Sequence, residues 1–359
     1  MRKAGDQQRY FVKKLLDWNA SENSRKMPWK GEKDPYKIWL SEIILQQTRV
    51  EQGLQYYERF VKTFPTVSHL ATAAETKVFK LWEGLGYYTR CKNLIATAKF
   101  IHEELNDQFP QQYENILTLK GIGPYTAAAI GSFAFNLPYA VVDGNVFRVL
   151  ARYFGISVPT DTTEGKKLFS ALANDLLYQK QPGIYNQALM DFGAVICKPQ
   201  LPLCSDCVMS KRCVALNQGQ VQLLPVKEKS IVKRTRWFYY LVAEFNGELY
   251  IRKRGPKDIW ENLYEFILVE TSESMEVPNV RFIETVLETN NFVIENISAL
   301  YKQLLTHQTI HGQFVTVKMN EPILLKGYKK IDKKGLDKLP FPKFISNYLK
   351  DKNVSLNLF

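Results

Sequence analysis

Cys197, Cys204, Cys207 and Cys213 fall within 17 residues, spaced C-x6-C-x2-C-x5-C, and no other feature constrains the chain as tightly. Four thiolates held so close would repel one another and resist joint ionisation unless a cation neutralised them, so a metal group is expected here. Zinc ribbons pair two C-x2-C knuckles set well apart, whereas here one knuckle stands between two single cysteines. A short wrap by four ligands suits a compact four-iron cluster, with structural zinc as the alternative. None of the four His residues lies in the segment, which argues against a mixed Cys/His zinc site. Cys91 stands apart and reads as a small core residue. Lys198, Lys211 and Arg212 beside the cluster either meet a phosphate backbone or form a solvated face.

The charge balance points the same way. Lys and Arg number 48 against 36 Asp and Glu, leaving +12. Such an excess favours a polyanionic partner, nucleic acid ahead of an anionic membrane surface. Met1 to Asn19 has no apolar core of a signal peptide. The apolar stretch Tyr125 to Val142 is broken by Asn136 and Pro138, so it reads as protein core and not as a membrane span. A cytoplasmic, nucleoid-associated protein without signal or transit peptide is expected, with its cysteines as ligands or core residues and not disulfides.

Along the chain, residues 1–216 read mainly as helix. Apolar residues recur at three-and-four spacing in Tyr10 to Trp18, Ile38 to Phe60 and Cys91 to Leu105. Gly and Pro punctuate the intervals. Residues 217–236, Gln-rich and then Lys-rich around Pro225, read as a linker. Beyond it, Trp237 to Phe245 and Glu248 to Arg254 are strand-like and joined by Asn246-Gly247, the strongest short signal for a hairpin. Residues 237–359 mix strand and helix, giving an α+β second domain.

Leu119-Lys120-Gly121-Ile122-Gly123-Pro124-Tyr125-Thr126-Ala127 sets a tight glycine turn ahead of an Ala-rich helix. Gly121 and Gly123 permit positive φ and let backbone N–H groups face outward, while the helix aims its positive end at the same place. That is a grip on phosphate that ignores base sequence. A bare Gly-x-Gly is usually only a turn; the spacing to Thr126 and Ala127 matches a helix-hairpin-helix.

With this hairpin, then Val142-Asp143-Gly144-Asn145, then the four cysteines, the chain resembles the iron–sulfur base-excision glycosylases. Pro28-Trp29, Ser41-Glu42-Ile43-Ile44-Leu45-Gln46-Gln47-Thr48-Arg49 and Gly84-Leu85-Gly86-Tyr87-Tyr88 narrow the resemblance to the MutY-like adenine glycosylase branch. The resemblance implies a mainly α helix-hairpin-helix catalytic domain over 1–216, with a [4Fe–4S] module at about 190–216. It also implies an α+β Nudix-like recognition domain over 237–359. Backbone-cleaving members carry a Schiff-base lysine directly after the hairpin, where this chain has Tyr125. Without that amine the imine route is closed at this position, and a monofunctional enzyme using water is implied.

Glu42 sits on an expected helix between Ile38-Trp39-Leu40 and Ile43-Ile44-Leu45. Most helical glutamates face solvent, but these flanks bury the carboxyl and raise its pKa toward that of a proton donor near neutrality. The resemblance makes Glu42 the acid that protonates adenine at N7. Asp143 precedes the helix Asn145 to Phe154 and reads as its N-cap, a position that keeps a carboxylate ionised. Loss of the base leaves an oxocarbenium-like sugar that such an anion stabilises. Tyr125 and Asn145 are implied to orient the two groups; otherwise they are a core tyrosine and a turn asparagine.

A base buried in a duplex must be flipped out, and something must fill the gap. Gln47 and Tyr87 match the family's intercalating positions. Lys30, Leu45, Thr48 and Arg49 belong to the same DNA-facing motifs, although Lys30 stands where the family usually has arginine and loses the planar fork. The second domain contains no Nudix catalytic box. Its recognition loop is matched by Leu305-Thr306-His307, where the family has Phe-Ser-His; Thr306 keeps a hydroxyl, His307 is intact, and Leu305 gives up aromatic stacking. The expected partner is double-stranded DNA with adenine opposite 8-oxoguanine or guanine, bound by a monomer. Two rivals stand. A thymine-mismatch glycosylase also carries tyrosine after the hairpin, but lacks the module marked by Trp260-x-x-Leu263-Tyr264-Glu265-Phe266. A non-catalytic DNA-binding protein would not need Glu42, Asp143, Tyr125 and Asn145 together.

Overall fold

The computed structural model describes residues 5–228, 232–275 and 280–351. Contacts divide the chain into two compact units, Met1–Ala71 with Ala96–Lys229 and Thr72–Ile95 with Ser230–Phe359. The helices run in order α1 (Asp6–Ser21), α2 (Pro35–Leu45), α3 (Val50–Thr63), α4 (Val67–Ala71), α5 (Glu75–Trp82), α6 (Tyr88–Glu104) and α7 (Tyr113–Leu117). They continue with α8 (Pro124–Phe135), α9 (Gly144–Phe154), α10 (Thr163–Leu176), α11 (Pro182–Val195) and α12 (Val214–Asn217). No described helix is long and apolar enough to cross a membrane.

In the first unit, α8 is buried from Thr126 to Ser132, which explains the Ala-rich composition of that stretch: small side chains let α2 and α11 approach it closely. A core of Phe11, Leu15 and Trp18 from α1 meets Val149, Leu150 and Tyr153 of α9 and Leu189 and Phe192 of α11. The amphipathic run Ile38 to Phe60 is two helices and not one. Gln46 leaves the helical conformation as the C-cap of α2, Gln47 follows in a left-handed conformation at φ 55, and Arg49 starts α3 afresh as its N-cap.

The stretch expected as a linker begins as part of this core. Leu224 is buried among the residues of α9 and α11, and Thr160 N–H donates to Val226 O at 3.1 Å. The Arg152 guanidinium also donates to Leu224 O at 3.0 Å, so the chain is tied down to that point. Residues 229–231 of the expected linker lie outside the described residues.

The second unit is an eight-stranded sheet: β1 (Arg234–Phe245), β2 (Glu248–Lys253), β3 (Tyr264–Glu265), β4 (Ile267–Thr271), β5 (Phe292–Ile297), β6 (Tyr301–Leu304), β7 (Gln308–Met319) and β8 (Lys329–Ile331). Its main path runs β3-β2-β1-β7-β5, with β1 and β7 parallel and the remaining pairs antiparallel. Asn246 and Gly247 both take positive φ, as a two-residue hairpin between right-twisted strands demands. Helix α13 (Val280–Leu287) covers one face over Leu241, Val315 and Val317. Between α13 and the last helix lies the short α14 (Lys333–Leu336). On the opposite face α15 (Lys343–Lys350) lays Phe344 and Tyr348 against Tyr240 and Phe314. Each face thus buries a helix, which makes this an α/β sheet domain.

Candidate active site

Glu42 lies on α2, Tyr125 in the first turn of α8 and Asp143 at the N-cap of α9. The Tyr125 hydroxyl donates to Glu42 Oε2 at 2.6 Å. Glu42 is only 6% exposed, and burial pushes its carboxyl up to about 7; the Tyr125 hydrogen bond opposes this and the nearby charge of Asp143 adds to it. Burial also raises Tyr125 well above the ordinary tyrosine range, so the phenol keeps its proton and remains a donor.

Asp143 caps α9 as its sequence position suggests. Its Oδ1 accepts from Val146 N–H at 2.7 Å and its Oδ2 from Asn145 Nδ2 at 2.7 Å. Burial raises this carboxyl too, against the expectation of an N-cap held low. Hydrogen bonds from Val146 and Asn145 and the charge of Arg148 pull the other way. The two carboxyls therefore differ in kind: Glu42 meets one neutral hydroxyl, while Asp143 meets two donors, a helix N-terminus and a guanidinium.

Sequence reasoning missed that guanidinium. Arg148 and Arg152 are four apart on α9 and both buried. Arg148 Nη2 donates to Asn145 Oδ1 at 2.8 Å and Gly193 O at 2.6 Å, and its Nε to Cys197 O at 2.7 Å. Arg152 Nη1 reaches Lys198 O at 2.7 Å, and its Nη2 reaches Pro199 O at 3.0 Å. The signal was there: two cations one turn apart on an otherwise apolar helix face need carbonyl or anionic partners.

Cys197, Cys204, Cys207 and Cys213 line one concavity, closed by Ile196, Leu203, Leu216 and Val221. Among the described residues no three His, Cys, Asp or Glu converge as one metal ion would require. A single zinc draws its sulfurs to about 2.3 Å. A polynuclear cluster holds its ligands further apart. Burial drives the Cys207 thiol up to about 12 and also raises Cys204 and Cys213. Thiols so placed need a cationic group to ionise, and four of them around one concavity fit a thiolate-held metal group.

The remaining predicted residues are dispersed. Gly121, at φ 79, and Gly123, the N-cap of α8, are exposed at the hairpin. Gln47 and Arg49 are exposed, Leu45 and Thr48 half-buried. Gln46, not singled out from sequence, bonds Thr126 Oγ1 at 3.3 Å. Lys30 is committed to the protein itself: Nζ donates to Asp191 Oδ2 and to Arg25 O, both at 3.0 Å. Asp191 is fully buried and also receives Asn23, Arg25 and Gln187. In the second unit the β6–β7 turn, closed by Leu305 N–H to Gln308 O at 2.8 Å, carries Thr306 and the exposed His307 at its corner. Tyr87 hydrogen-bonds Thr306 through its hydroxyl.

A hairpin before a packed helix, with a buried acid and a capped carboxylate beside it, defines a base-excision fold. Residues 40–173 match the HhH-GPD superfamily of base excision DNA repair proteins. Over 315 residues the chain is 34% identical to the adenine DNA glycosylase of Buchnera aphidicola subsp. Baizongia pistaciae, an alignment covering 87% of each protein. It is 40% identical over 228 residues to the adenine DNA glycosylase of Mus musculus, covering 60% of this chain and 44% of that one. A thermostable thymine-DNA glycosylase of known structure superposes with a TM-score of 0.55 at 30% identity, covering 59% of this chain and 97% of its own. The chain belongs to the adenine DNA glycosylase family.

Proposed function

We propose that the protein hydrolyses the N-glycosidic bond of adenine mispaired with 8-oxoguanine or guanine, without cutting the backbone. The observation that carries this reading is the protonated Tyr125 hydroxyl set on Glu42 at 2.6 Å, near an Asp143 held by two hydrogen bonds. Glu42, with its carboxyl near 7, is half-protonated at neutrality and gives its proton to adenine N7. The glycosidic electron pair then leaves with a base that is neutral after departure. Asp143 faces the positive charge left on the sugar, Asn145 fixes the orientation of its carboxylate, and water supplies the oxygen at C1′. Tyr125, lying where a lyase has its amine, offers no imine.

Cys197, Cys204, Cys207 and Cys213 would hold a [4Fe–4S] cluster. Such a cluster supplies positive charge to the four thiolates and cross-links the loop. Arg148 and Arg152 take the carbonyls of that loop and join it to α9, so the loop and Asp143 share one rigid element. The Gly121–Gly123 hairpin grips phosphate, Gln47 and Tyr87 fill the gap left by the flipped base, and Leu45, Thr48 and Arg49 line the same strand. Lys30, tied to Asp191, contributes charge near DNA more than a direct contact. Thr306 and His307 on the Nudix-like second domain read the opposite base.

The thymine reading is favoured by one resemblance, yet that structure covers 59% of this chain where the Buchnera adenine glycosylase covers 87%. Single-turnover excision separates them, using duplexes with one adenine opposite 8-oxoguanine or one thymine opposite guanine. Adenine release, with strand scission only after alkali, is expected. Thymine release, or nicking before alkali, contradicts the proposal.

A further inference from the structure

Tyr87 projects from an unusual support. It adopts φ 49 directly after Gly86 at φ 82, and its side chain is 45% exposed. Backbone conformation limits χ1 to a few rotamers, and the choice among them falls to what touches the side chain: Thr306 at its hydroxyl and Arg90 at its ring face. Beneath it lies Arg90, in the first turn of α6. The Arg90 guanidinium carbon is 5.5 Å from the Tyr87 ring centroid and 5.2 Å from that of the buried Trp82. Trp82 Nε1 donates to Gly86 O at 3.0 Å, and Arg90 Nη2 donates to the same carbonyl at 3.3 Å. The Arg90 backbone N–H closes the turn onto Tyr87 O at 2.9 Å, while Gly84 N–H donates to the Tyr88 hydroxyl at 3.2 Å. Burial lowers the Arg90 pKa only to about 10, so the guanidinium is charged at neutrality.

We propose that Arg90 is the positioning residue of the wedge: a guanidinium plate seated on Trp82 that backs the Tyr87 ring and pre-sets it before DNA arrives. A planar cation suits this place because it can lie against two rings while an edge N–H, from Nη2, bonds the Gly86 carbonyl. Lysine brings charge without the plate, and leucine brings neither. With the ring fixed in advance, insertion into the duplex carries no further ordering of that side chain, which speeds base flipping and leaves the bond-breaking step to Glu42 and Asp143.

This inference rests on the reading of Tyr87 as the wedge, and a double-mutant cycle separates the two. The cluster-loaded protein is compared with Arg90→Leu, Arg90→Lys, Tyr87→Ala, Tyr87→Ala/Arg90→Leu and Tyr87→Ala/Arg90→Lys. Flipping is followed by stopped-flow fluorescence of 2-aminopurine placed at the adenine position, and folding by the melting temperature. Arg90→Leu is expected to slow flipping about tenfold, with Arg90→Lys recovering little, because most of the contact is planar. In the Tyr87→Ala background the same change should add nothing. An equal further loss there, or full activity in Arg90→Lys, overturns the positioning role. Normal flipping by Tyr87→Ala sinks the wedge itself. Should Arg90→Leu fail to fold, the comparison of Arg90→Lys in the two backgrounds decides the matter alone.

Discussion

The hydroxyl of Tyr125 donates to Glu42 Oε2 at 2.6 Å, joining residues 83 positions apart on two helices that pack together. The contact does two things at once. It orients the acid, and it limits the upward push of burial by favouring the ionised carboxylate.

That buried acid has a cost the whole protein should feel. The folded carboxyl is raised to about 7 from an ordinary 4.5, so the native state holds a proton that the unfolded chain releases. At pH below 4.5 both states are protonated and nothing is lost. Between 4.5 and about 7 stability falls as pH rises, by on the order of 3 kcal/mol in total. Glu42→Gln should remove that slope and be more stable than the natural protein at pH 8. Urea unfolding of both at pH 5 and pH 8 measures it; equal slopes would mean that Glu42 is not held protonated by the fold.

Gly193 should tolerate no side chain. A Cβ there would stand 2.6 Å from Asn145 Cβ and 3.1 Å from its Cα, and the Gly193 carbonyl accepts from Arg148. Gly193→Ala is expected to displace Asn145, destabilise the protein by about 1–3 kcal/mol and slow excision, since Asn145 is a donor to Asp143. Melting temperature and single-turnover rate are the measurements. A rate unchanged alongside lowered stability would argue that Asn145 does not set Asp143.

Arg148→Met should separate chemistry from cofactor retention. The change strips hydrogen bonds from Asn145 Oδ1, Gly193 O and Cys197 O together. By analogy with groups that orient metal ligands, excision should fall on the order of ten- to a hundredfold. The visible absorbance of the cluster should persist, because all four thiolates are intact. Loss of the absorbance in step with activity would show that the bond of Arg148 to Cys197 O, and not its hold on Asn145, carries the effect.

Much of this was legible in the chain. Asp143 before an amphipathic run is an N-cap, Asn246-Gly247 is a hairpin, and four close cysteines line one concavity; each is a local rule with a local cause. Pairings over distance were not. Nothing in residues near Glu42 names Tyr125, because their meeting depends on how closely an Ala-rich α8 lets α2 approach. The break at Gln47 was hidden because apolar spacing continues across it and only the backbone reverses. Leu224 and Val226 were lost in a Lys- and Gln-rich stretch whose composition outweighs two apolar side chains. The arginines of α9 drew no notice, though a buried helix face has no room for uncompensated cations.

The second unit depends on charges of its own. Arg254 bonds Asp258 at 2.6 Å and the buried Glu265, and Arg236 binds both Asp258 and Glu270. Arg254→Leu leaves Glu265 buried with part of its countercharge gone and should cost about 3–5 kcal/mol. Asp258 is held down at about 2 against an ordinary 3.8, so its contribution is present above pH 3.8 and is lost as pH falls toward 2. Urea unfolding from pH 5 to pH 2 tests both, the natural protein losing stability over the lower half of that range. A variant as stable as its parent would show the network to be dispensable.

The most direct test of the account is the single-turnover rate of adenine release as a function of pH, on an adenine:8-oxoguanine duplex, for the natural protein and for Glu42→Gln. If protonated Glu42 drives departure of the base, the natural rate should hold level on the acid side of pH 7 and decline above it, about tenfold per unit. Glu42→Gln should bind the duplex and release no adenine at any pH. A rate flat from pH 6 to 9, or release by Glu42→Gln, would place the proton donor elsewhere and contradict the mechanism.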